Sequence, residues 1–470
     1  MLFIAAVFCA LTVPSIGMLV RNEDSENTEK RSLASFPKWN DEAGLWNSHY
    51  FEELGSWFSD HFAFRTTMVS LYSQISRHVF KSSSNEDVIV GEDGWLYYTP
   101  TVSDITGVRT LSDTDIRHMT RSLQLMSDYA KAHGSELIFA CAPNKGSIYP
   151  EYLPARYINT GGMNNLDFLH ESLLKTDVTV CDLRKALRDA AAESEDILYH
   201  KLDTHWNADG AMIGYQALMK TVGLDDRGYA ALPRTVAEDW DGDLWDMLTP
   251  YSDKKDFNAH YALPETHQPV GRYRGTDDIL ITMKCKNGEG SLLMFRDSFA
   301  KKLIPMLSER FADTVYSRAT HVPIADIENA QTDFIVYEIV ERNLKNLTIY
   351  APMMPAPTVS ETGQPANAAD AEAVSLAAKQ EAQFIHFYGK YDARLADNDA
   401  VCCMISDDAG NSTIYEAFPC YEEELDGSGE NGFSMYLPAD TVPQNGTLTV
   451  LIQREGLSVH AGETAYSLEN

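Results

Sequence analysis

Residues 136–145 read ELIFACAPNK, a mostly apolar run of seven residues that ends in a Pro-Asn-Lys turn. An apolar run of this length is typical of a strand buried on both faces, as strands of a parallel sheet are. Three similar runs stand at residues 178–182 (VTVCD), 291–295 (SLLMF) and 334–338 (FIVYE), with helical patterns between them. Strands that alternate with helices predict an α/β fold, a parallel sheet with helices on both faces.

The helical patterns have clear boundaries. Ser112 is a candidate N-cap and Gly134 a stop signal for a helix over residues 112–133. Apolar residues at helical spacing predict further helices, which cover residues 165–175, 183–193 and 208–222. Upstream, two apolar segments flank an acidic Gly-containing turn, which predicts a β-hairpin over residues 88–98.

The composition changes near residue 352. Residues 353–382 are rich in Pro, Ala, Ser and Thr, which predicts a linker, with one Ala-rich helix at residues 368–381. Residues 383–470 hold short alternating segments separated by turn residues, and this pattern predicts a small C-terminal all-β, β-sandwich-like module. Ahead of the linker we expect a polar linker at residues 21–35 and the α/β domain at residues 36–352.

Residues 1–20 (MLFIAAVFCALTVPSIGMLV) contain no charged side chain. An apolar run near 20 residues can span a bilayer, and it also fits a signal peptide. A basic start and a convincing cleavage site are both missing, which favours an uncleaved anchor. On either interpretation we expect the rest of the chain outside the cytoplasm, at the cell surface or in a periplasm, tethered or secreted.

The overall charge and the cysteines exclude several functions. The chain has 38 Lys and Arg against 69 Asp and Glu, a formal charge of −31. Nucleic-acid binding relies on clustered Lys and Arg, so we expect no nucleic-acid partner and no polybasic membrane patch. The seven cysteines form no C-x-x-C pair, which argues against a zinc ribbon or a thioredoxin site.

A serine directly follows one predicted strand, in the segment FRDSFA (295–300). In open α/β sheets ligands bind beyond the carboxyl ends of the strands. There Ser298 could present its hydroxyl, with its own backbone N–H aimed at a developing oxyanion. The alternative is that Ser298 merely caps a helix, a role that Asp and Ser often fill.

A histidine and a carboxylate stand two residues apart in LDTHWN (202–207). A serine nucleophile needs a base, and the base needs an orienting carboxylate. In an extended segment Asp203 and His205 would lie on one face, because alternate side chains point the same way. Two alternatives stay open: a buried His–Trp pair with a satisfied hydrogen bond, and a metal site with His200 as a third ligand. No H-E-x-x-H or histidine cluster supports a metal, so none is predicted.

Two further segments carry polar side chains that could bind a ligand. Asn144 and Lys145 follow the first strand as a candidate oxyanion donor or substrate contact and a candidate charge, and the alternative is an ordinary Pro-Asn turn. Residues 239–243 (DWDGD) carry their glycine at the wrong position for an EF-hand loop, which predicts a solvated acidic turn.

The motifs occur in an order that resembles a known family. Asp203-Thr204-His205-Trp206, then Asn207 and Gly210, and Arg296-Asp297-Ser298 much later, resemble the SGNH-hydrolase-like domain of alginate O-acetyltransferases (AlgJ/AlgX-like) and the related DHHW family. Further blocks of the same pattern occur in order at residues 29–37, 57–65, 93–97, 143–150 and 338–342. The resemblance covers about residues 30–352.

This resemblance implies an SGNH-type α/β sandwich at residues 36–352 with Ser298 as nucleophile, His205 as general base and Asp203 as its orienting group. It implies acetyl transfer to or from a sugar hydroxyl of an exported polysaccharide through an acetyl-serine, without a cofactor. A membrane O-acyltransferase would be the partner that supplies acetyl groups. An acetyl esterase and a non-catalytic glycan-binding or assembly protein are the alternatives. The candidate oxyanion or substrate contacts are Asn144, Lys145, Arg296, Tyr337 and Arg342, of which the last two could instead support the core.

Overall fold

A computed structural model of the protein describes residues 34–40, 44–64, 83–157, 159–249, 253–319, 322–325, 332–360, 375–391, 399–421, 431–454 and 457–468, together with residues 4, 8, 12, 13, 16, 17, 67, 68, 71, 72 and 75. Among these residues no helix is both long and apolar enough to cross a bilayer. Most of residues 1–20 lie outside the described part of the chain, so the anchor or signal peptide stays a prediction.

A seven-stranded mixed sheet forms the centre of the α/β part, in the order β4-β3-β11-β9-β10-β8-β7. Its strands are β3 (Glu136–Ala142), β4 (Thr179–Cys181), β7 (His267–Pro269), β8 (Leu280–Cys285), β9 (Ser291–Phe295), β10 (Asp313–Ser317) and β11 (Phe334–Val340). The five strands β4, β3, β11, β9 and β10 pair in parallel, whereas β8 and β7 are antiparallel. The predicted parallel sheet is therefore confirmed, and the antiparallel edge was not predicted.

Ten α-helices lie in the described part of the chain. They are α1 (Tyr50–His61), α2 (Val102–Thr106), α3 (Asp113–Ala132), α4 (Lys145–Ile148), α5 (Asn165–Leu173), α6 (Leu183–Glu193), α7 (Ala208–Thr221), α8 (Asp243–Leu248), α9 (Ile304–Arg310) and α10 (Asn346–Ile349). Ser112 begins α3 as predicted, in a reciprocal capping box with Asp115. The predicted hairpin is also present, as β1 (Val88–Val90) and β2 (Leu96–Tyr98).

Two apolar clusters cover the two faces of the sheet. Ile138 and Met294 point into one cluster, which includes residues of α6, α7 and α9. Leu137 and Phe295 point into the other, which includes residues of α3 and α5. This alternation along each strand explains why the strands are apolar throughout. It also places the residue that follows each parallel strand at one common edge.

The C-terminal part contains two four-stranded antiparallel sheets. One has β12 (Ser375–Glu381), β13 (Phe384–Lys390), β17 (Gly432–Pro438) and β16 (Phe418–Cys420), and the other β15 (Ser412–Glu416), β14 (Ala400–Asp407), β18 (Asn445–Arg454) and β19 (Leu457–Ser467). One apolar cluster joins them, with Phe387 and Met435 from the first sheet and Cys403 and Val450 from the second.

The Ala-rich helix expected at residues 368–381 is wrong over its last seven positions. Residues 375–381 are strand β12, which pairs with β13 from Ser375↔Lys390 to Glu381↔Phe384. Pairing with a neighbouring strand outweighs the helical preference of the alanines there. The earlier part of that prediction, residues 368–374, lies outside the described residues.

Polar and apolar contacts connect the antiparallel sheets with the α/β part. Arg121 of α3 donates two hydrogen bonds to the Glu416 carboxylate, at 2.5 and 2.6 Å. Phe418 and Tyr436 are buried in the same cluster as the residues of α3 and α5. The first antiparallel sheet therefore packs on the face of the central sheet that carries α3.

A small two-stranded sheet next to the central sheet matters for the site. Strands β5 (Arg234–Trp240) and β6 (Asp256–Tyr261) pair as an antiparallel ribbon. The side chains of β5 are exposed except at its last residue, Trp240, which is partly buried. This ribbon brings Trp240 to the edge of the central sheet where β9 ends.

Candidate active site

Ser298, His205 and Asp203 form one continuous hydrogen-bonded chain. His205 Nε2 lies 2.8 Å from Ser298 Oγ, and His205 Nδ1 lies 2.7 Å from Asp203 Oδ1. Asp203 is buried, whereas His205 and Ser298 are partly exposed. The structure thus brings together the three residues that sequence analysis singled out, in the order that a serine nucleophile, its base and the orienting carboxylate require.

Ser298 lies in the turn between β9 and the 3-10 helix Phe299–Lys302. It stands at the cap position of that helix, but its side chain makes no capping hydrogen bond and instead contacts His205. The Asp297 carboxylate accepts the Phe299 N–H at 2.8 Å and so takes over the capping. Across the described residues the Ser298 N–H has no acceptor, so it can donate to an oxyanion.

The segment that carries His205 is a turn, and the extended conformation expected for residues 203–205 is wrong. Asp203 Oδ1 accepts both the backbone N–H of His205, at 2.8 Å, and its ring nitrogen. Trp206 points the opposite way into the core, where its indole N–H donates to Phe299 O at 2.9 Å. Of the two residues in the alternative of a buried His–Trp pair, only Trp206 is buried. Its hydrogen bond connects the histidine segment to the serine turn.

Four donors surround the Asp203 carboxylate. Besides the two from His205, Oδ2 accepts the Trp240 indole N–H at 3.0 Å and the Asp243 N–H at 3.2 Å. Burial by itself would raise the pKa of Asp203, but the hydrogen bonds and charge of His205 outweigh it and hold that pKa well below its usual range. Asp203 is therefore a carboxylate across the neutral pH range.

The solvated acidic turn predicted for residues 239–243 is wrong at two positions, because Trp240 and Asp243 contact the triad. Asp243 accepts the N–H and the hydroxyl of Thr204, at 2.8 and 2.6 Å, and its Oδ2 lies 3.6 Å from His205 Nδ1. Burial, followed by the charge of Asp203, raises the pKa of Asp243. Sequence analysis missed both residues, since nothing in DWDGD links it to a motif almost 40 positions earlier.

Gly242 allows this segment to approach the triad. A Cβ atom at this position would lie 2.3 Å from Leu202 O and 2.7 Å from Leu202 C. Since Leu202 directly precedes Asp203, any side chain at residue 242 would push the two segments apart. Because Gly242 has no side chain, its segment can lie directly against the backbone that precedes Asp203.

Lys145 is a buried cation beneath the triad. Its ammonium group donates to three carbonyl oxygens, those of His200 at 3.0 Å, Lys201 at 3.1 Å and Asp203 at 2.6 Å. Burial lowers its pKa to about 8, against the opposing effect of the Asp203 charge. The expected contact of Lys145 with substrate is not supported, because its donors hold the backbone of residues 200–203.

Asn144 does not offer a free donor to an oxyanion either. Its backbone N–H donates to Glu341 at 2.9 Å and its side-chain amide to Asp104 at 3.0 Å. The residue is buried, and both contacts lie in a polar cluster behind β3 and β11. Asn144 therefore fixes the turn that directs Lys145 toward the triad.

The other three candidate contacts differ in position. Arg296 is buried and donates to Thr276 O and Asp278 O, at 2.7 and 2.9 Å, so it supports a neighbouring loop. Tyr337 points into the cluster on the opposite face of the sheet, where its ring lies 6.4 Å from that of Phe139. Neither residue is placed to contact a substrate at Ser298.

Arg342 is the candidate that remains near the serine. Its guanidinium lies 5.3 Å from the Phe299 ring and 5.8 Å from the Tyr98 ring. Phe299 directly follows Ser298, and its ring lies 4.7 Å from the His205 ring. Within the described residues Arg342 has no hydrogen-bond or ion-pair partner, so its charge is free to meet a ligand.

One group of described side chains has the composition and spacing for a metal ion. It consists of Asp203, His205 and Asp243, whose ligand atoms lie within 4.8 Å of one another. A metal bound there would compete with the hydrogen bond between Asp203 and His205. His200, considered as a third ligand, instead stacks on Trp240 and contacts Phe257 O at 3.0 Å.

Comparison with known proteins gives a consistent family. Residues 88–269, which include Asp203 and His205, match the family described as SGNH hydrolase-like domain, acetyltransferase AlgX. The chain is 23% identical over 187 residues to the probable alginate O-acetylase AlgJ of Pseudomonas fluorescens, covering 39% of this chain and 45% of the relative. It is 27% identical over 135 residues to the AlgJ of Pseudomonas putida, covering 29% and 34%. The chain thus spans less than half the length of these curated relatives.

Solved structures with a similar arrangement include PatB1 of Bacillus cereus with a sulfonyl adduct, at a TM-score of 0.44 and 20% identity over 55% of this chain and 97% of that one. The O-acetyltransferase domain of Pseudomonas putida AlgJ follows at a TM-score of 0.36 and 20% identity, with 55% and 91% covered. The family match at residues 88–269 and the AlgJ sequences agree with each other. Residues 88–269 are thus similar to the SGNH hydrolase-like domain of the acetyltransferase AlgX, and the chain is similar to AlgJ over part of its length.

Proposed function

We propose that this chain is a serine-dependent O-acetyltransferase that acts on hydroxyls of an extracellular or cell-envelope polysaccharide. The observation that supports it most is the hydrogen-bonded chain from Ser298 through His205 to Asp203, next to an N–H without an acceptor. The names of the AlgJ relatives support acetyl transfer to a polysaccharide.

The first half-reaction forms an acetyl-serine. Ser298 Oγ attacks the carbonyl carbon of the acetyl donor, and its proton passes to His205 Nε2, 2.8 Å away. The oxyanion of the tetrahedral intermediate accepts the Ser298 N–H. The intermediate collapses when the bond to the leaving group breaks, and the leaving group takes the proton from His205. Asp203 stabilises the imidazolium between these steps.

The second half-reaction releases the acetyl group. A sugar hydroxyl gives its proton to His205 Nε2 and attacks the acetyl carbon, and Ser298 recovers that proton as the acetyl ester leaves. If water takes the place of the sugar, the same steps describe an acetyl esterase, which is the second candidate function. The exposure of His205 and Ser298 on one side supports access for either acceptor.

The wider setting is part of the same proposal. Residues 1–20 tether the protein outside the cytoplasm or direct its export, and a membrane O-acyltransferase supplies the acetyl groups. Arg342 contacts the substrate, since its charge is unpaired beside Phe299. The C-terminal residues form an all-β module, which includes β12 ahead of the expected start at residue 383, and its support is the two antiparallel sheets and their common core.

The test is turnover of a chromogenic acetyl ester by the full-length protein, beside Ser298→Ala, with and without a sugar-oligomer acceptor. We expect a mass increase of one acetyl group on the peptide that contains Ser298 and loss of turnover in the variant. Acceptor-dependent acetyl-sugar identifies a transferase, and acetate alone an esterase. Turnover that survives Ser298→Ala but not a chelator would replace the serine mechanism with metal chemistry. No turnover and no adduct would favour a glycan-binding role.

A further inference from the structure

A buried carboxyl group lies directly behind the nucleophile turn. Glu338 is on β11, one residue beyond the point where β11 stops pairing with β9, and only 1% of it is exposed. Its Oε2 accepts the backbone N–H of Asp297 at 3.0 Å. None of the proposed acetyl-transfer steps uses this carboxyl group.

Asp297 and Glu338 together hold both sides of the turn. The two oxygens of Asp297 accept the Phe299 N–H, at 2.8 Å, and the Val340 N–H, at 2.7 Å. Glu338 holds the N–H of Asp297 itself. The backbone N–H groups on both sides of Ser298 therefore donate to carboxyl oxygens. Asp297 also accepts the N–H of Val340, and this hydrogen bond connects the turn to the end of β11.

The Glu338 carboxyl group is buried beside the backbone of Asp297. No cation pairs with it among the described residues, and its Oε1 receives no hydrogen bond. Burial, followed by the charge of Asp297, raises the pKa of Glu338 well above its usual range, against the opposing effects of the Asp297 N–H and the Arg296 charge. The other titratable groups that interact electrostatically with Glu338 are Cys141 of β3 and Tyr337, which precedes Glu338 in β11. As an acid, Glu338 can accept the N–H of Asp297 and donate its proton to the Asp297 carboxylate.

We propose that Glu338 is a positioning residue for the nucleophile: by accepting the N–H of Asp297 it fixes the Asp297–Phe299 turn and so aims Ser298 Oγ at His205. This inference rests on the proposed function only for its effect on rate. The hydrogen bonds that carry it exist whatever reaction Ser298 performs. A shift of Ser298 of about 1 Å would lower reactivity by about 100-fold, because the attack geometry is strict.

The variants separate the hydrogen bond from the charge. Glu338→Met keeps the length of the side chain but cannot accept from Asp297. Glu338→Gln keeps an acceptor oxygen and adds an N–H donor, as the neutral acid does. Glu338→Asp keeps the acid and draws it back by one methylene, and it replaces Glu338→Met if that variant does not fold. Glu309→Gln is the matched control, a buried carboxylate that contacts Thr266 and His267 instead of the serine turn.

Two measurements on the full-length protein decide the outcome. The first is the rate at which phenylmethanesulfonyl fluoride labels Ser298, followed by intact mass, beside kcat and KM for an acetyl ester. We expect a labelling rate about 100-fold lower in Glu338→Met with KM little changed. Glu338→Gln and Glu309→Gln should stay within about threefold of the unaltered protein, since the hydrogen bonds of the turn are kept.

The second measurement is amide hydrogen exchange in the peptide covering residues 295–300. It should be faster in Glu338→Met and unchanged in Glu338→Gln. A folded Glu338→Met, or Glu338→Asp in its place, with normal labelling and exchange overturns the inference. A Glu338→Gln variant as slow as Glu338→Met overturns it as well. If the unaltered protein is not labelled and does not turn over ester, the proposed function fails, and the exchange data alone then decide the role of Glu338.

Discussion

Two serine–histidine–carboxylate sets occur among the described residues, one at the end of the parallel sheet and one inside the first antiparallel sheet. In the second set His386 Nε2 lies 2.7 Å from Ser434 Oγ, and His386 Nδ1 lies 3.0 Å from Glu381 Oε2. The corresponding distances around His205 are 2.8 and 2.7 Å. Side-chain distances alone therefore do not distinguish the two sets.

The backbone around the serine does distinguish them. Ser434 lies in the middle of β17, opposite Tyr388 on one side and Phe418 on the other, so the sheet occupies its backbone groups. Only 3% of Ser434 is exposed, and His386 stacks on Tyr436 at 4.1 Å. Ser298 follows its strand, is partly exposed and keeps its N–H without an acceptor in the described structure. A nucleophile needs access and an oxyanion donor as well as a base.

The carboxylates differ in the same way. Asp203 receives four hydrogen bonds, two from His205 and one each from Trp240 and Asp243. Asp243 in turn accepts the backbone N–H of Thr204. The Glu381 side chain is 28% exposed and ends the edge strand β12. The first set is thus supported from several sides, whereas the second is a polar contact within a sheet. This difference leads to four predictions.

The largest effect is expected at the two histidines. His205→Gln removes the base and should lower kcat for an acetyl ester by about 10⁴- to 10⁶-fold, the range of losses when a triad member is removed. His386→Gln should leave kcat unchanged, although it will destabilise the antiparallel sheets. Ester turnover of both purified variants checks this. Equal losses in the two would mean that the comparison between the sets is wrong.

A smaller effect is expected at Trp240. Trp240→Phe keeps an aromatic ring beside His200 and Lys302 but removes the N–H that donates to Asp203. A hydrogen bond to a charged group contributes about 1.5–3 kcal/mol, so kcat should fall about tenfold or more with little change in KM. Tyr436→Phe, which alters the ring stacked on His386, is the matched control and should show full activity. A Trp240→Phe variant with normal kcat would remove Trp240 from the support of Asp203.

The decrease of the unfolding free energy at acid pH should depend on the ionisation of Asp203. Its folded-state pKa lies below the ordinary value of 3.8, so it stabilises the fold above that pH and stops doing so as the pH falls through the folded-state value. Between pH 6 and pH 3 the unaltered protein should lose about 1 kcal/mol more unfolding free energy than Asp203→Asn. Urea unfolding at the two pH values measures this difference. Parallel losses would contradict the lowered pKa.

The sequence predicts one part of the site well and another hardly at all. Ser298 follows a run that reads as a buried strand, and Asp203 and His205 stand within one short motif, so local pattern was sufficient. Trp240 and Asp243 reach the triad because a two-stranded ribbon folds back over it, and local sequence does not encode that contact. Their acidic surroundings even predict solvent exposure.

The same limit applies to the fold and to Lys145. The parallel strands were recognisable because both of their faces are buried, whereas β8 alternates between buried and exposed residues and β12 is rich in alanine. Lys145 was expected near substrate because it follows a strand, but its partners are carbonyl oxygens that any sequence supplies. Contacts with backbone groups leave no residue pattern from which to predict them.

The smallest effect on activity is expected at Ser434. Ser434→Ala removes one buried hydrogen bond to His386 and should lower the unfolding free energy by about 1–2 kcal/mol, because a buried ring nitrogen loses its partner. Ester turnover should not change, and phenylmethanesulfonyl fluoride should label Ser298 and never Ser434 in the unaltered protein. Urea unfolding, turnover and mass analysis of the labelled peptides check the three statements. Labelling at Ser434 would show that a strand-bound serine with 3% exposure can react, and the requirement for access and a free N–H would then no longer separate the two sets.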